Sequence, residues 1–179
     1  QGFASGNAER DAAALRKVVA RGTIPVLLAQ SFAKNFGLYG ERCGTLSIVC
    51  ANPEQKSIVM SQLRNIIRPM YSSPPRHGSS IVKTVLNDKA LTEQYHDECR
   101  SMAERMQRMR ERLLEELKSA GSKHDWSHIL SQIGMFAYTG MTADMCDALT
   151  KDHAIFLTRD GRISIAGLNE GNLEYVAKA

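Results

Sequence analysis

The sequence predicts an α/β fold: a mostly parallel sheet packed with helices, followed by a long helix and then a smaller α+β region. Three observations carry this. Residues 26–29 and 46–50 are short and almost wholly apolar, the pattern of strands covered on both faces. Segments on either side of them repeat apolar residues every three or four positions, as helices do. A further segment of that kind, 91–119, is much longer than the rest.

Taken in order, residues 1–6 read as a loop. Asn7 caps a helix through Ala20, with Ala8, Ala12, Leu15 and Val19 on one face and Gly22 just past its end. Pro25 opens the first strand. Beyond the second strand, Asn52-Pro53-Glu54-Gln55 is a helix start: a cap, a proline at the first helical position and a glutamine at N3. Val59, Leu63, Ile66 and Met70 form its apolar stripe, and Pro74-Pro75 ends it. Ser79 or Ser80 restarts a helix as far as Leu86. In 91–119, Leu91, Tyr95, Cys99, Met102, Met106, Met109, Leu113 and Leu117 make one stripe of a helix roughly 40 Å long. Its other face mixes Glu98, Arg100, Arg105, Arg110, Glu111 and Glu115, as a solvated face does. Residues 121–125 break the chain. Residues 129–138 are strand-like around Gly134, and Thr142 caps a short helix. Residues 155–158 and 162–165 flank Asp160-Gly161, a hairpin signal. Asn172 starts a last helix.

The chain has 179 residues, of which 43% are hydrophobic, enough for a packed core. A net charge of +4 spread over both signs argues against a nucleic-acid module. Cys43, Cys50, Cys99 and Cys146 lie far apart with no CxxC pair, which argues against a zinc site or a disulfide framework. They suit a reducing compartment, here the cytoplasm, with the mitochondrial matrix as the alternative. No stretch is long and apolar enough to span a bilayer.

The chemistry concentrates between the two predicted strands. There Gln30-Ser-Phe-Ala-Lys-Asn-Phe-Gly-Leu-Tyr-Gly-Glu-Arg-Cys-Gly44 holds a hydroxyl (Ser31), an amine (Lys34) and a guanidinium (Arg42) among three glycines. Two cations beside an apolar core require an anion, and a phosphate meets that need. A lysine with such a neighbour suggests an amine that bonds a carbonyl compound covalently. Desolvation and a nearby cation both favour the neutral, reactive form of an amine.

Ser31-Phe-Ala-Lys34-Asn-Phe-Gly-Leu-Tyr39-Gly-Glu-Arg42-Cys-Gly44 resembles the cofactor-lysine segment of the aspartate aminotransferase family, pyridoxal 5'-phosphate (PLP) enzymes of class I and fold type I. The resemblance continues in Ile67-Arg-Pro-Met-Tyr-Ser-Ser-Pro-Pro75, in Gln132-Ile-Gly-Met-Phe136 and in Gly161-Arg-Ile163. It implies that Lys34 is the catalytic and cofactor-binding lysine, and that Ser31 and Arg42 hold the cofactor phosphate. It implies that Ser72 reaches that phosphate across a homodimer interface, although Ser73 stands where the family usually has asparagine. Arg162 is implied to grip the substrate α-carboxylate, and Phe136 to line the pocket. Arg68 is implied to bind the distal carboxylate of aspartate or glutamate in the neighbouring subunit's site. No metal is implied.

The activity so implied is transfer of an amino group between L-aspartate or L-glutamate and 2-oxo acids such as oxaloacetate and 2-oxoglutarate. Two alternatives stand beside it: an aromatic amino acid aminotransferase on the same scaffold, and a catalytically incomplete piece that acts only in association. By the same resemblance, residues 1–90 belong to the large PLP-binding domain, 91–120 form the connecting helix and 121–179 the small domain. Family chains are longer, so a C-terminal fragment is expected. The family's aspartate, tyrosine and asparagine at the cofactor ring have no match here, so the fragment by itself is expected to be inactive.

Overall fold

The structure is a computed structural model that describes residues 4–179; residues 1–3 of the predicted N-terminal loop lie outside the described residues. The described residues fall into two compact units, the first Glu9–His96 and the second residues 4–8 with Asp97–Ala179. The helix expected from Asn7 to Ala20 forms as two pieces, α1 (Ala8–Asp11) and α2 (Ala13–Arg21). The second ends as predicted, on Gly22 in the left-handed region at φ 62°.

In the first unit, β1 (Leu27–Ser31) and β2 (Gly44–Ile48) pair antiparallel, from Leu27 opposite Ile48 to Ser31 opposite Gly44. This corrects the expectation of a mostly parallel, doubly covered sheet. The link between them, residues 32–43, folds back as turns with no helix, whereas a parallel pair is usually joined by a crossover helix. The pair is two strands wide, and Leu27 and Leu46 keep 64% and 53% of their surface exposed. Helix α3 (Pro53–Met70) follows, with the predicted start intact. Asn52 Oδ1 accepts the Gln55 amide at 2.8 Å, and Gln55 Oε1 accepts the Ala51 amide at 2.6 Å. After α3 the chain bends through Ser72, left-handed at φ 59°. Helix α4 (His77–Asn87) then begins slightly earlier than predicted. Its Gly78 is buried where an added Cβ would lie 3.0 Å from the Cβ of Cys43, so α4 approaches the lysine turn closely only through a glycine.

Helix α5 (Lys89–Ser119) is the long helix of the sequence reading, and the division between the units falls within it. In the second unit its inner stripe is Cys99, Ala103, Met106, Met109, Leu113 and Leu114. Two expectations change here. Met102 keeps 41% of its surface exposed, and Arg110, read as part of the solvated face, keeps 1%. Strands β3 (Phe136–Tyr138) and β4 (Arg162–Ser164) pair antiparallel, with Ala137 opposite Ile163 and Tyr138 opposite Arg162. The predicted hairpin therefore keeps its turn at Asp160-Gly161 but not its pairing, because β4 pairs with β3 and residues 155–158 form no strand. That pairing carries Ala137 and Ile165 into the core with Ile129, Cys146 and Leu173. Helix α6 (Ala143–His153) is capped by the Thr142 hydroxyl, and α7 (Leu173–Lys178) closes the unit. Among the described residues no helix is long and apolar enough to cross a membrane.

Asn52→Ala removes the acceptor from the α3 cap. Urea titration followed by far-ultraviolet circular dichroism is expected to show a loss of about 1 kcal/mol, and an unchanged midpoint would contradict that role for the cap.

Candidate active site

The turn between β1 and β2 is built on apolar side chains. Phe32, Leu38 and Val82 are buried together, with Phe36, Cys43 and Ile81 packed against them. Backbone bonds close it: Phe32 N–H donates to Cys43 O at 3.0 Å, and Gly37 N–H donates to Lys34 O at 3.1 Å. Residues just after Lys34 are tied to Tyr95. Asn35 Nδ2 donates to Tyr95 Oη at 3.1 Å, and the Phe36 ring stacks on the Tyr95 ring with centroids 4.4 Å apart. The other end of the turn needs a glycine at 44, since a Cβ there would lie 2.5 Å from Gln30 O.

On this base the polar groups face outward. Lys34 Nζ lies 4.3 Å from the centroid of the Tyr39 ring, and Arg42 Cζ lies 5.6 Å from the same centroid. The Arg42 Nη1 donates to Tyr39 O at 3.3 Å, and Ser31 Oγ accepts the Ala33 amide at 3.1 Å. Arg42 occupies the left-handed region at φ 50°, unusual for a residue with a side chain. The sequence reading placed both cations against an apolar core. Both are exposed in this chain, and the face of Tyr39, not burial, gathers them. Among the described residues neither has a carboxylate within ion-pair distance.

Arg68 and Ser72 belong to the same unit, in the last turn of α3 and just beyond it. Both are exposed, and no hydrogen bond or ion pair among the described residues joins them to the lysine turn. Arg162 and Phe136 belong to the second unit. There the Arg162 Cζ lies 5.0 Å from the centroid of the Phe136 ring. The turn that launches Arg162 is held by Asp160, whose carboxylate accepts the Thr158 hydroxyl and, at 3.2 Å, the Arg162 amide. Those bonds, the Thr158 hydroxyl foremost, and the Arg162 charge hold the Asp160 carboxyl below the usual range.

Sequence reasoning missed Tyr39 as the surface on which the cations meet, Tyr95 as the anchor of the turn, and Arg110 as a buried cation. Arg110 had a visible signal: it stands four residues after Met106 and three before Leu113, on the buried stripe. An exposed amine and guanidinium sharing one ring, with no carboxylate among the described residues within ion-pair distance, suit a ligand that is both anionic and carbonyl-bearing.

A family model described as aminotransferase class I and II matches residues 1–179. The chain belongs to the class I and II aminotransferases. Among relatives in this family, it is 54% identical over its whole length to a mitochondrial aspartate aminotransferase of Dictyostelium discoideum, and spans 42% of that protein. It is 48% identical to a cytoplasmic aspartate aminotransferase of Oryza sativa subsp. japonica, spanning 44% of it. Among solved aminotransferases, a mitochondrial aspartate aminotransferase from Trypanosoma brucei superposes with a TM-score of 0.96 at 45% identity, over 99% of this chain and 46% of that one. An aromatic-amino-acid aminotransferase from Burkholderia pseudomallei, covalently bound to pyridoxal phosphate, superposes with a TM-score of 0.93 at 42% identity, over 99% and 44%.

The depressed Asp160 carboxyl sets a pH dependence. Its support of the Arg162 turn is complete above the unfolded aspartate value of about 3.9 and is lost as pH falls through the lower folded value. The Arg162 amide resonance is therefore expected to titrate with a midpoint below the ordinary aspartate range. A midpoint at or above that range would contradict the hydrogen-bonded turn.

Proposed function

We propose that this chain is the lysine-bearing part of a PLP-dependent aspartate aminotransferase that exchanges an amino group between L-aspartate or L-glutamate and 2-oxo acids, oxaloacetate and 2-oxoglutarate. The observation that carries the reading is the pair Lys34 and Arg42 on the Tyr39 face, with no carboxylate among the described residues within ion-pair distance, in a turn anchored by Phe32 and Leu38. The donor set fits PLP. Lys34 offers an amine to the aldehyde, and Ser31 and Arg42 offer a hydroxyl and a planar cation to the phosphate. The left-handed backbone at both Arg42 and Ser72 supports a ligand site, since such strain costs about 1–3 kcal/mol per residue and gathers where ligands are held.

PLP supplies an electron sink that makes the proton on the substrate α-carbon labile. The chain's own residues do the rest. Lys34 Nζ takes that proton as general base. Arg162, aligned along β4 and against Phe136, fixes the α-carboxylate through its planar fork and so sets which α-carbon bond is broken. Arg68 binds the side-chain carboxylate of an acidic substrate. Its exposure, and that of Ser72, suits residues that reach into the site of a partner subunit in a homodimer. Residues 1–90 then belong to the large cofactor domain, 91–120 to the connecting helix and 121–179 to the small domain. The fragment alone is inactive in this reading. The four cysteines, far apart in the sequence with no CxxC pair, support a reducing compartment, the cytoplasm or else the mitochondrial matrix.

The likeness to an aromatic-amino-acid aminotransferase supports a second reading, in which aromatic substrates are used and Arg68 is dispensable. Turnover by the full-length protein separates the two. Lys34→Ala is expected to abolish oxaloacetate formation from aspartate and 2-oxoglutarate. Arg68→Ala is expected to lower kcat/KM for aspartate about 10²–10³-fold, the scale of a lost buried charge pair, and to spare tyrosine. Full activity in Lys34→Ala would overturn the aminotransferase reading, and equal losses for both substrates in Arg68→Ala would overturn the acidic specificity.

A further inference from the structure

In an extended strand successive carbonyls point to opposite edges, so a strand paired on one side leaves an unpaired edge on the other. Around β3, one edge is paired with the β4 segment: Met135 O accepts the Ile165 amide at 2.8 Å, and the Thr139 amide donates to Gly161 O at 2.9 Å. The opposite edge carries the carbonyls of Gly134 and Phe136 and both backbone groups of Tyr138. Three side chains take it over, among them His128, whose Nε2 lies 3.2 Å from Tyr138 O. Arg110 Nη2 donates to Gly134 O at 2.6 Å and to Phe136 O at 3.1 Å. Gln132 Nε2 donates to Tyr138 O at 2.9 Å, and its Oε1 accepts the Tyr138 amide at 2.7 Å.

Arg110 is an unusual occupant for this position. It is the largest fully buried side chain among the described residues, and no carboxylate there lies within ion-pair distance of it. Among the described residues its remaining bond is to its own helix, from Nη1 to Met106 O at 3.4 Å, and its Nε has no partner there. Burial alone pushes the guanidinium below its ordinary pKa. A leucine or methionine would fill this place on the stripe without that desolvation penalty. What a hydrocarbon could not do is hold at once the carbonyl of Phe136 in β3 and that of Gly134 in the bend before it. That strand is the base of the Arg162 site. Phe136 supplies the ring beneath the Arg162 guanidinium, and Tyr138 lies opposite Arg162 in the ladder.

We infer that Arg110 is a positioning residue for Arg162: with Gln132 it fixes the free edge of β3, and thereby the ring and the ladder register that aim the Arg162 guanidinium. The inference rests on the reading of Arg162 as the substrate-carboxylate arginine, and deepens it.

The test uses the full-length holoenzyme and a plain dicarboxylate, succinate, titrated by calorimetry. Arg110→Met and Gln132→Leu are each expected to weaken succinate binding on the order of tenfold, below the roughly 10²-fold of a full 1 Å misplacement. The absorbance of the bound cofactor should stay unchanged. In an Arg162→Lys background the added loss should nearly vanish, since there is no longer a fork to aim; a merely structural role would give losses that add. Arg110→Lys, which keeps charge but loses the fork, should behave like Arg110→Met and serves if the methionine variant does not fold. Normal succinate binding in Arg162→Lys would overturn the carboxylate reading and this inference with it. Weakened binding in Arg162→Lys, with unchanged binding in the Arg110 and Gln132 variants or with fully additive losses, would overturn this inference alone.

Discussion

The lysine turn depends on the burial of Phe32, Leu38 and Val82 beneath it. Each such side chain contributes about 1.5–3 kcal/mol when taken out of water. A turn of this length would otherwise be left to solvent, and its conformational entropy would scatter Lys34, Tyr39 and Arg42. With the apolar residues fixed below, the alternate ones are obliged to point outward. The two cations then meet on one aromatic face. The glycines serve the same end, Gly44 by letting the strands close and Gly78 by letting α4 approach.

The second unit solves a related problem differently. There Arg162 sits on a short two-stranded ladder, and three-residue strands supply little rigidity of their own. Side chains replace the missing neighbour strand. A buried guanidinium and a glutamine amide occupy the hydrogen-bonding edge that another strand would use. Arg105 extends the pattern by donating to Leu168 O at 2.9 Å and to Ala166 O at 2.8 Å, just after β4. Two arginines of α5 thus act as backbone ligands, and the charge alternation of that helix is in part structural.

How much of this was legible before the structure follows from how local each signal is. The α3 start could be read because cap, proline and glutamine are contiguous and satisfy one another. The lysine turn could be read because its hydroxyl, amine and guanidinium lie in one short segment. Strand direction could not: an apolar run states burial but not which neighbour it pairs with, and β1 and β2 are antiparallel and largely exposed here. The turn at Asp160-Gly161 was visible, yet the partner of β4 was set by core packing of Ala137 and Ile165, a non-local matter. Arg110 was assigned to solvent on its charge, although its spacing places it among Met106, Leu113 and Leu114. Helical position was the better guide there, because a guanidinium can be buried when carbonyls meet it.

The account stands on Lys34 as the amine that reacts with the cofactor aldehyde. The direct measurement is borohydride reduction of the full-length protein with one equivalent of PLP, followed by mass analysis of its peptides. The account predicts a single reduced adduct on the peptide that contains Lys34, suppressed when excess inorganic phosphate competes for Ser31 and Arg42. An adduct elsewhere, or one spread evenly over exposed lysines such as Lys56, would contradict it.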